Sequence, residues 1–321
     1  MRNTQVSRKA AIRRIAAKSL LTAAAISCAV LSQSSHARAM DLFGGNLAWY
    51  SYGYTFTSAY NSGTMNTYLS EFQNANLNYI RVWVCENFDG ISFDSSGNAT
   101  GISTTLLNNV ANFCSMANAK GITVELVFIN YMDVQSRPGV VGNNRTALIN
   151  NALVPLGKKV QPYNCRIDLI NEGNVATNVA SWSTLRAFCT QAVSALHSNG
   201  VNRWITMSDQ YAPDYTTYFN STVGGLGFNF YEYHDYNGDG SIPVSSSNVG
   251  GARIELNEFG PGAGWNNQSY SANKTVLSAF VNNAKAKGYS GAAFWSYIGD
   301  TNFQLRGNTL MGDMAYWGLN K

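Results

Sequence analysis

The chain is short of charge: of its 321 residues, only 12% are Asp, Glu, Lys or Arg. It is also short of histidine, and only His197 and His234 lie beyond the leader described below. Two imidazoles are too few for a metallohydrolase barrel, which binds its ions through several. No G-x-S-x-G occurs, which removes the commonest serine-hydrolase signature. The cysteines contain no C-x-x-C, which argues against a zinc site. No glycine-rich phosphate loop follows the first strand. Gly260-Pro261-Gly262-Ala263-Gly264 comes late in the chain, and Pro261 lacks an N–H donor. No metal and no cofactor is therefore expected.

Residues 1–39 read as a secretory leader. Arg2, Arg8, Lys9, Arg13, Arg14 and Lys18 form a basic segment without acids, and residues 20–31 form a short apolar run. Ala37-Arg38-Ala39 then resembles a small-x-small cleavage site. The apolar run is well short of the roughly 20 residues that span a bilayer, so a membrane anchor is not expected. Arg13-Arg14 with Lys18 is a partial twin-arginine pattern, and Ser27-Cys28 a poor lipobox. The expected product is a secreted or periplasmic monomer opening at Met40, with no membrane span in residues 40–321.

Removing the leader inverts the charge. Seven of the 22 Lys and Arg lie in residues 1–39, so 15 remain against 18 acids and the rest of the chain is about three units negative. No basic cluster survives there, which argues against nucleic acid as a partner. Cys85, Cys114, Cys165 and Cys189 remain. They allow two disulfides in any of three connectivities, or serve as small buried apolar residues.

What the chain does have is a regular alternation of strand and helix patterns. Strands are expected over 42–49, 79–84, 122–129, 167–172, 204–208, 228–233, 254–259 and 292–296. Helices are expected over 65–77, 103–119, 145–156, 183–198, 214–220, 271–287 and 311–319, with Gly121, Gly200 and Gly288 as stops. Eight such units without a dividing linker predict one (β/α)8 TIM barrel over residues 40–321, in preference to an open doubly wound sheet.

Functional groups of a barrel sit at the C-terminal ends of its strands. The expected strand ends carry Arg81 and Trp83 with Glu86 beyond, then Asn130 and Tyr131 with Asp133, then Asn171 and Glu172. Further on come Asp209 and Tyr211, His234 and Tyr236, Glu258, and Trp295. Two apolar runs, Ile167-Asp168-Leu169-Ile170 and Ile254-Glu255-Leu256, each end in an Asn-Glu pair. Strands four and seven lie on roughly opposite sides of an eight-stranded barrel, so Glu172 and Glu258 can face each other across its mouth. Glycosidic cleavage needs such a pair, one carboxylic acid for the departing oxygen and one carboxylate to attack carbon or activate water. Trp49, Tyr50, Trp83, Tyr131, Tyr211, Trp265, Trp295 and Tyr297 could stack sugar rings around them. Asp235-Tyr236-Asn237-Gly238-Asp239-Gly240 matches the first half of a calcium loop. Its twelfth position is Ser246, so a turn-rich loop is expected.

These residues carry a family resemblance. Ile80-Arg81-Val82-Trp83, Asp168-Leu169-Ile170-Asn171-Glu172, His234-Asp235-Tyr236, Glu258-Phe259-Gly260 and Trp295, in this order, resemble the clan A retaining glycoside hydrolases, particularly family five endoglycanases. The resemblance implies that Glu172 is the general acid/base and Glu258 the nucleophile, with Asn171 on the sugar's 2-hydroxyl. Arg81 and Tyr236 would hold Glu258 ionised with its pKa lowered, His234 would support the shell, and Trp295 would floor the subsite. Where many cellulases end the third strand in His-Asn, this chain has Phe128-Ile129-Asn130-Tyr131, and the Asn without the His is closer to mannanase-like members. The implied substrate is a β-linked polysaccharide or oligosaccharide of mannan or glucan type. A non-catalytic carbohydrate-binding barrel is the alternative.

Overall fold

The computed structural model describes residues 40–210 and 225–319. The leader, Tyr211 and the helix expected over 214–220 lie outside the described residues. Strand β1 is Leu42–Leu47, followed by helix α1, Ser62–Asn74, and β2, Tyr79–Trp83. An antiparallel hairpin, β3 (Ile91–Phe93) and β4 (Ala99–Ile102), precedes α2, Thr104–Ala119, and β5, Thr123–Asn130. Then α3 (Tyr131–Ser136), α4 (Arg145–Leu148) and α5 (Val154–Val160), the last two joined through the π-helical Ile149–Leu153, lead to β6, Cys165–Asn171. Helix α6 (Trp182–Ser198) is followed by β7 (Trp204–Thr206), β8 (Ser208–Gln210), β9 (Tyr231–Asp235) and β10 (Ile254–Phe259). Helix α7 (Tyr270–Ala286), β11 (Gly291–Ile298) and α8 (Leu310–Leu319) complete the order.

The main sheet is parallel, in the order β7-β6-β5-β2-β1-β11-β10-β9-β8. Only Met207 separates β7 from β8; β7 pairs with β6, whereas β8 pairs with β9. The two pieces form one interrupted barrel strand, and through it the sheet meets itself. The result is the expected eight-stranded barrel with its fifth strand in halves. Among the described residues, no helix is long and apolar enough to cross a membrane.

Strand alternation sorts the side chains into two environments. Ile80, Val82, Val124, Leu126 and Phe128 face outward and join the helices in one large core. Helix α2 shows how a helix meets it. Ser103 caps its N-terminus by accepting from Leu106 N at 3.4 Å, and Leu106, Val110, Phe113, Cys114 and Ala117 form its buried stripe. Leu106→Ala alone would cost about 2–5 kcal/mol.

The inward faces are different. Leu42, Tyr79 and Ala293 form a small apolar plug near the strand starts, and Ala48, Trp83, Val127 and Trp295 a second near their ends. Between these plugs Asn46, Arg81, Glu125, Asp168, Glu232 and Asn257 are all buried. This ionic middle layer explains two departures from the expected strands. The sixth barrel strand is Tyr231–Asp235 rather than 228–233, because its inward residues Glu232 and His234 are polar. The apolar Phe228 and Phe230 flank Asn229, whose backbone N–H donates to Ile205 O at 3.0 Å in the connection before it. Ser208–Gln210 extends the fifth strand past the predicted end for the same reason. Cys85, Cys114, Cys165 and Cys189 are buried free thiols.

Candidate active site

The two Asn-Glu pairs meet at the C-terminal mouth, each through a local irregularity. Glu172 leaves β6 in the left-handed conformation (φ 50°, ψ 47°), which costs a non-glycine residue about 1–3 kcal/mol. Its N–H donates to Ser208 Oγ at 2.9 Å, tying the turn to β8. In β10 the pairing register shifts between Leu256 and Glu258. The shift lets Asn257 and Glu258, adjacent in sequence, both turn inward. Asn257 Nδ2 donates to Tyr79 OH at 2.9 Å, while Glu258 reaches Arg81.

Glu258 is held from three sides. Its Oε1 accepts from Arg81 Nη1 at 2.6 Å and its Oε2 from Tyr236 OH at 2.6 Å, and His234 Nδ1 lies 3.5 Å from Oε2. The same Nδ1 is 3.1 Å from Glu172 Oε1, and His234 Nε2 is 3.4 Å from Glu232 Oε1. The imidazole therefore bridges the two mouth carboxylates. Glu172, His234 and Glu258 each place one ligand-type atom within 4.8 Å of the other two. Glu125, Asp168 and Glu232 form a similar group. In both groups a protein cation, Arg81 or His234, already contacts the carboxylates, so the donor set suits hydrogen bonding to a neutral substrate.

Arg81 organises the layer beneath. Nε meets Glu125 and Glu232 at 2.9 Å each, and Nη2 meets Asp168 at 2.7 Å and Asn171 Oδ1 at 2.8 Å. Its guanidinium carbon also lies 4.6 Å from the Trp83 ring centre. Burial opposes the charge on Arg81, but Glu232, Glu258 and Asp168 hold its pKa above the usual range. Burial likewise works against His234⁺, yet Glu258, Glu172 and Glu232 raise it to about 10, so it is an imidazolium at neutral pH.

Glu258 departs from expectation. Burial raises its pKa, and Glu172 adds to the rise, outweighing the lowering by His234, Arg81 and Tyr236. The cation and phenol are where the sequence placed them; the missing factor was the depth of the site.

The cleft has a volume of about 260 Å³ and contains Asn130, Tyr131, Asn171, Glu172, Tyr236, Glu258 and Trp295. Trp49 and Trp83 stand edge-on to Trp295, with ring centres 5.7 and 5.2 Å away. Three aromatics of the expected rim lie elsewhere. Trp265 is buried with its Nε1 donating to the Trp295 carbonyl, Tyr297 packs on Phe72 and Tyr68, and Tyr50 leans on Tyr68. Asp235 and Asp239 each accept a backbone N–H two residues on, which makes the calcium-like stretch a hydrogen-bonded turn.

Sequence reasoning missed Glu125, Asp168, Ser208 and Glu232 as partners of the site. The two-residue period of His234 and Tyr236 runs back to Glu232, and Glu125 is the single acid in an apolar strand. Either pattern signals a charged inner face. Gln210, Asp300 and Phe303 also line the cleft, from positions that carried no strand-end signal.

The fold recurs in solved structures. A β-1,4-mannanase from the sea hare Aplysia kurodai superposes with a TM-score of 0.69 at 20% identity, over 86% of this chain and 91% of that one. A β-mannanase from the blue mussel Mytilus edulis gives 0.66 at 19% identity, over 85% and 90%. An endo-β-1,4-glucanase from Xanthomonas axonopodis pv. citri gives 0.59 at 13%, over 86% and 98%. No curated protein matches the chain in sequence. The model of the cellulase family, glycosyl hydrolase family 5, does match, over residues 35–305. With that match spanning most of the sequence, the chain belongs to glycosyl hydrolase family 5 and is a glycoside hydrolase.

Proposed function

We propose that the enzyme cleaves β-linked polysaccharide internally, with retention of configuration, through Glu172 and Glu258. The carrying observation is the separation of the carboxylates: an oxygen of Glu172 lies within 4.8 Å of one of Glu258. Retaining enzymes hold the two groups about 5–5.5 Å apart, whereas inverting ones leave roughly 6.5–9.5 Å for a water.

In the first step a Glu258 oxygen bonds to the anomeric carbon as the bond from that carbon to the leaving oxygen breaks. The Glu172 proton goes to that oxygen. In the second step water attacks the same carbon, Glu172 takes back a proton, and the bond to Glu258 breaks. Arg81 and Tyr236 orient Glu258, His234 lies between the two acids, Asn171 meets the 2-hydroxyl, and Trp295 floors the subsite. Asn130 and Tyr131 line the same cleft. The mannanase folds named above and the Asn130-Tyr131 strand end favour β-mannan first and β-glucan second.

Residues 1–39 act in this reading as an export signal. Residues 40–321 then form one catalytic domain, which the compact unit of residues 39–321 supports, and the enzyme acts as a monomer. The protein opening at Met40 is to be screened on mannan, cellulose, xylan and mixed-linkage glucan, with products sized and their first-formed anomer read by NMR. Glu172→Ala and Glu258→Ala should each abolish turnover while oligosaccharide binding survives. An α-anomer as first product, or full activity in either variant, would sink the assignment. Glycan binding with no product from the wild type would instead identify a binding barrel.

A further inference from the structure

Glu86 lies one residue outside every hydrogen bond that the proposed mechanism uses, yet it is 4% exposed. It follows β2 in a short turn where Asn87 and Phe88 both have φ of 55°. Two successive left-handed non-glycine residues are costly, about 1–3 kcal/mol each, and persist only where the surroundings enforce them. Here Asp133 enforces them, its Oδ1 accepting from Asn87 N at 2.9 Å and its Oδ2 from Asn130 N at 2.8 Å. The turn and the end of β5 are thus fixed to one carboxylate.

From Arg81 a directed line of hydrogen bonds runs outward to Glu86. Arg81 Nη2 donates to Asn171 Oδ1 at 2.8 Å, Asn171 Nδ2 to Asn130 Oδ1 at 3.4 Å, and Asn130 Nδ2 to the two Glu86 oxygens at 3.3 and 3.4 Å. Tyr52, edge-on to Trp49 at 5.1 Å, is close enough to draw the Glu86 pKa down against the rise that burial causes. An amide has one accepting and one donating end, and its direction is set by its neighbours. Arg81 can only donate and a carboxylate can only accept. Two ions of opposite character therefore fix both asparagines in one sense; with one Asn130 N–H shared between the two Glu86 oxygens, each amide has a second N–H to offer a ligand. Both asparagines line the cleft.

We propose that Glu86 is a positioning residue for the glycosidase reaction: as the accepting terminus of the Arg81–Asn171–Asn130 line, it sets which hydroxyl oxygens of the sugar these amides can read. The ligand class is a pyranose whose hydroxyls accept from both amide N–H groups. The inference rests on the proposed role of Asn171. A glutamine at position 86 keeps the shape but can donate as well as accept, so the Asn130 amide loses one of the two ends that hold it, and only the long 3.4 Å contact from Asn171 Nδ2 still favours its present sense.

The test is a double-mutant cycle in the protein opening at Met40, with kcat and KM measured on mannohexaose and cellohexaose and melting temperature measured alongside. Glu86→Gln should lower kcat/KM about ten- to hundredfold, the worth of a hydrogen bond to a charged group, and move the melting temperature little. In an Asn130→Ala background the same change should matter less than twofold, because there is no amide left to orient. Tyr52→Phe, which removes only the phenol that favours the ionised Glu86, should follow the same pattern more weakly and serves if Glu86→Gln folds poorly. Wild-type kcat/KM in Glu86→Gln, or an equal loss in both backgrounds, would overturn the proposal. Activity in Glu258→Ala would overturn the two-glutamate reading instead, so the two failures are distinguishable.

Discussion

Tyr236→Phe isolates one hydrogen bond to the proposed nucleophile. The phenol donates to Glu258 Oε2 at 2.6 Å, and its ring stays anchored edge-on to Phe303, with centres 5.7 Å apart. Losing only the hydroxyl removes a charge-assisted bond, worth about 1.5–3 kcal/mol, which is roughly a ten- to 150-fold loss in kcat/KM if the carboxylate must be held in place. The sign of the pH effect follows from which form the phenol favours. It donates to the ionised carboxylate and so lowers a pKa that burial has raised. Removing it must raise that pKa further. The acid limb of kcat/KM, where the nucleophile becomes protonated, therefore moves to higher pH, by about one to two units if the full energy discriminates between protonation states. The assay is kcat/KM from pH 4 to 9 for wild type and variant, with calorimetric melting as a folding control. An unmoved acid limb, or one displaced to lower pH, would refute the reasoning.

Two further outcomes concern the layer beneath and the turn at Glu172. Arg81→Lys keeps the charge but replaces a planar fork meeting Glu125, Glu232, Asp168 and Glu258 with one ammonium that cannot reach them all. Partial loss of a buried network at about 3–5 kcal/mol should lower the melting temperature by roughly 10 °C, and a fall under about 3 °C in calorimetry would contradict the network's role. Glu172→Gly relieves the left-handed strain at φ 50° and removes a carboxylate facing Glu258, so it should melt about 2–4 °C higher while losing turnover. Equal or lower stability would show that the turn is not strained.

The fold was legible wherever a strand's outer and inner faces were both apolar or its end was sharply polar. The 254–259 strand and helix α2 match their patterns closely because one face meets the helix core and Ser103 and Gly121 mark the helix ends. Strand β9 was misplaced because the apolar Phe228 and Phe230 lie in the connection before it while its own inner face carries Glu232 and His234, which moves the apparent apolar run upstream. The hairpin Ile91–Phe93 and Ala99–Ile102 is half-exposed and short, too weak a pattern to read. At the site, strand ends identified Arg81, Asn171, Glu172, His234, Tyr236, Glu258 and Trp295, which the structure gathers at one mouth. Aromatics were less legible, since Trp265 and Trp295 are the same residue type and only tertiary packing decides which lies beneath the other. Glu258 shows the remaining gap: partners can be named from a sequence, but the extent of burial that sets the direction of a pKa cannot.

The ionic middle layer explains why a site can afford so many like charges. Glu258 faces two cations, and each is also held from behind: Arg81 by Glu125, Asp168 and Glu232, and His234 by Glu232. Burial and Glu232 push Glu125 well above the usual range and Asp168 to about 6, while Arg81 and His234 draw Glu232 below it despite its burial. The rear acids therefore differ in how readily they ionise, and Glu232, the one drawn below the usual range, is placed against both cations. This arrangement matters in the proposed mechanism when the Glu258 charge is consumed in the bond to the sugar. A cation held by Glu258 alone would then lose its partner and swing or take up water. Here Arg81 and His234 keep their rear contacts through the covalent step, so they are in place when the carboxylate is released. The cost is carried in stability, since a buried pair rarely outperforms apolar packing of equal volume. On that reasoning the inner face of the barrel is charged for the sake of fixed dipoles at the mouth, and Glu232, which touches no substrate-facing atom itself, is the residue on which both cations depend.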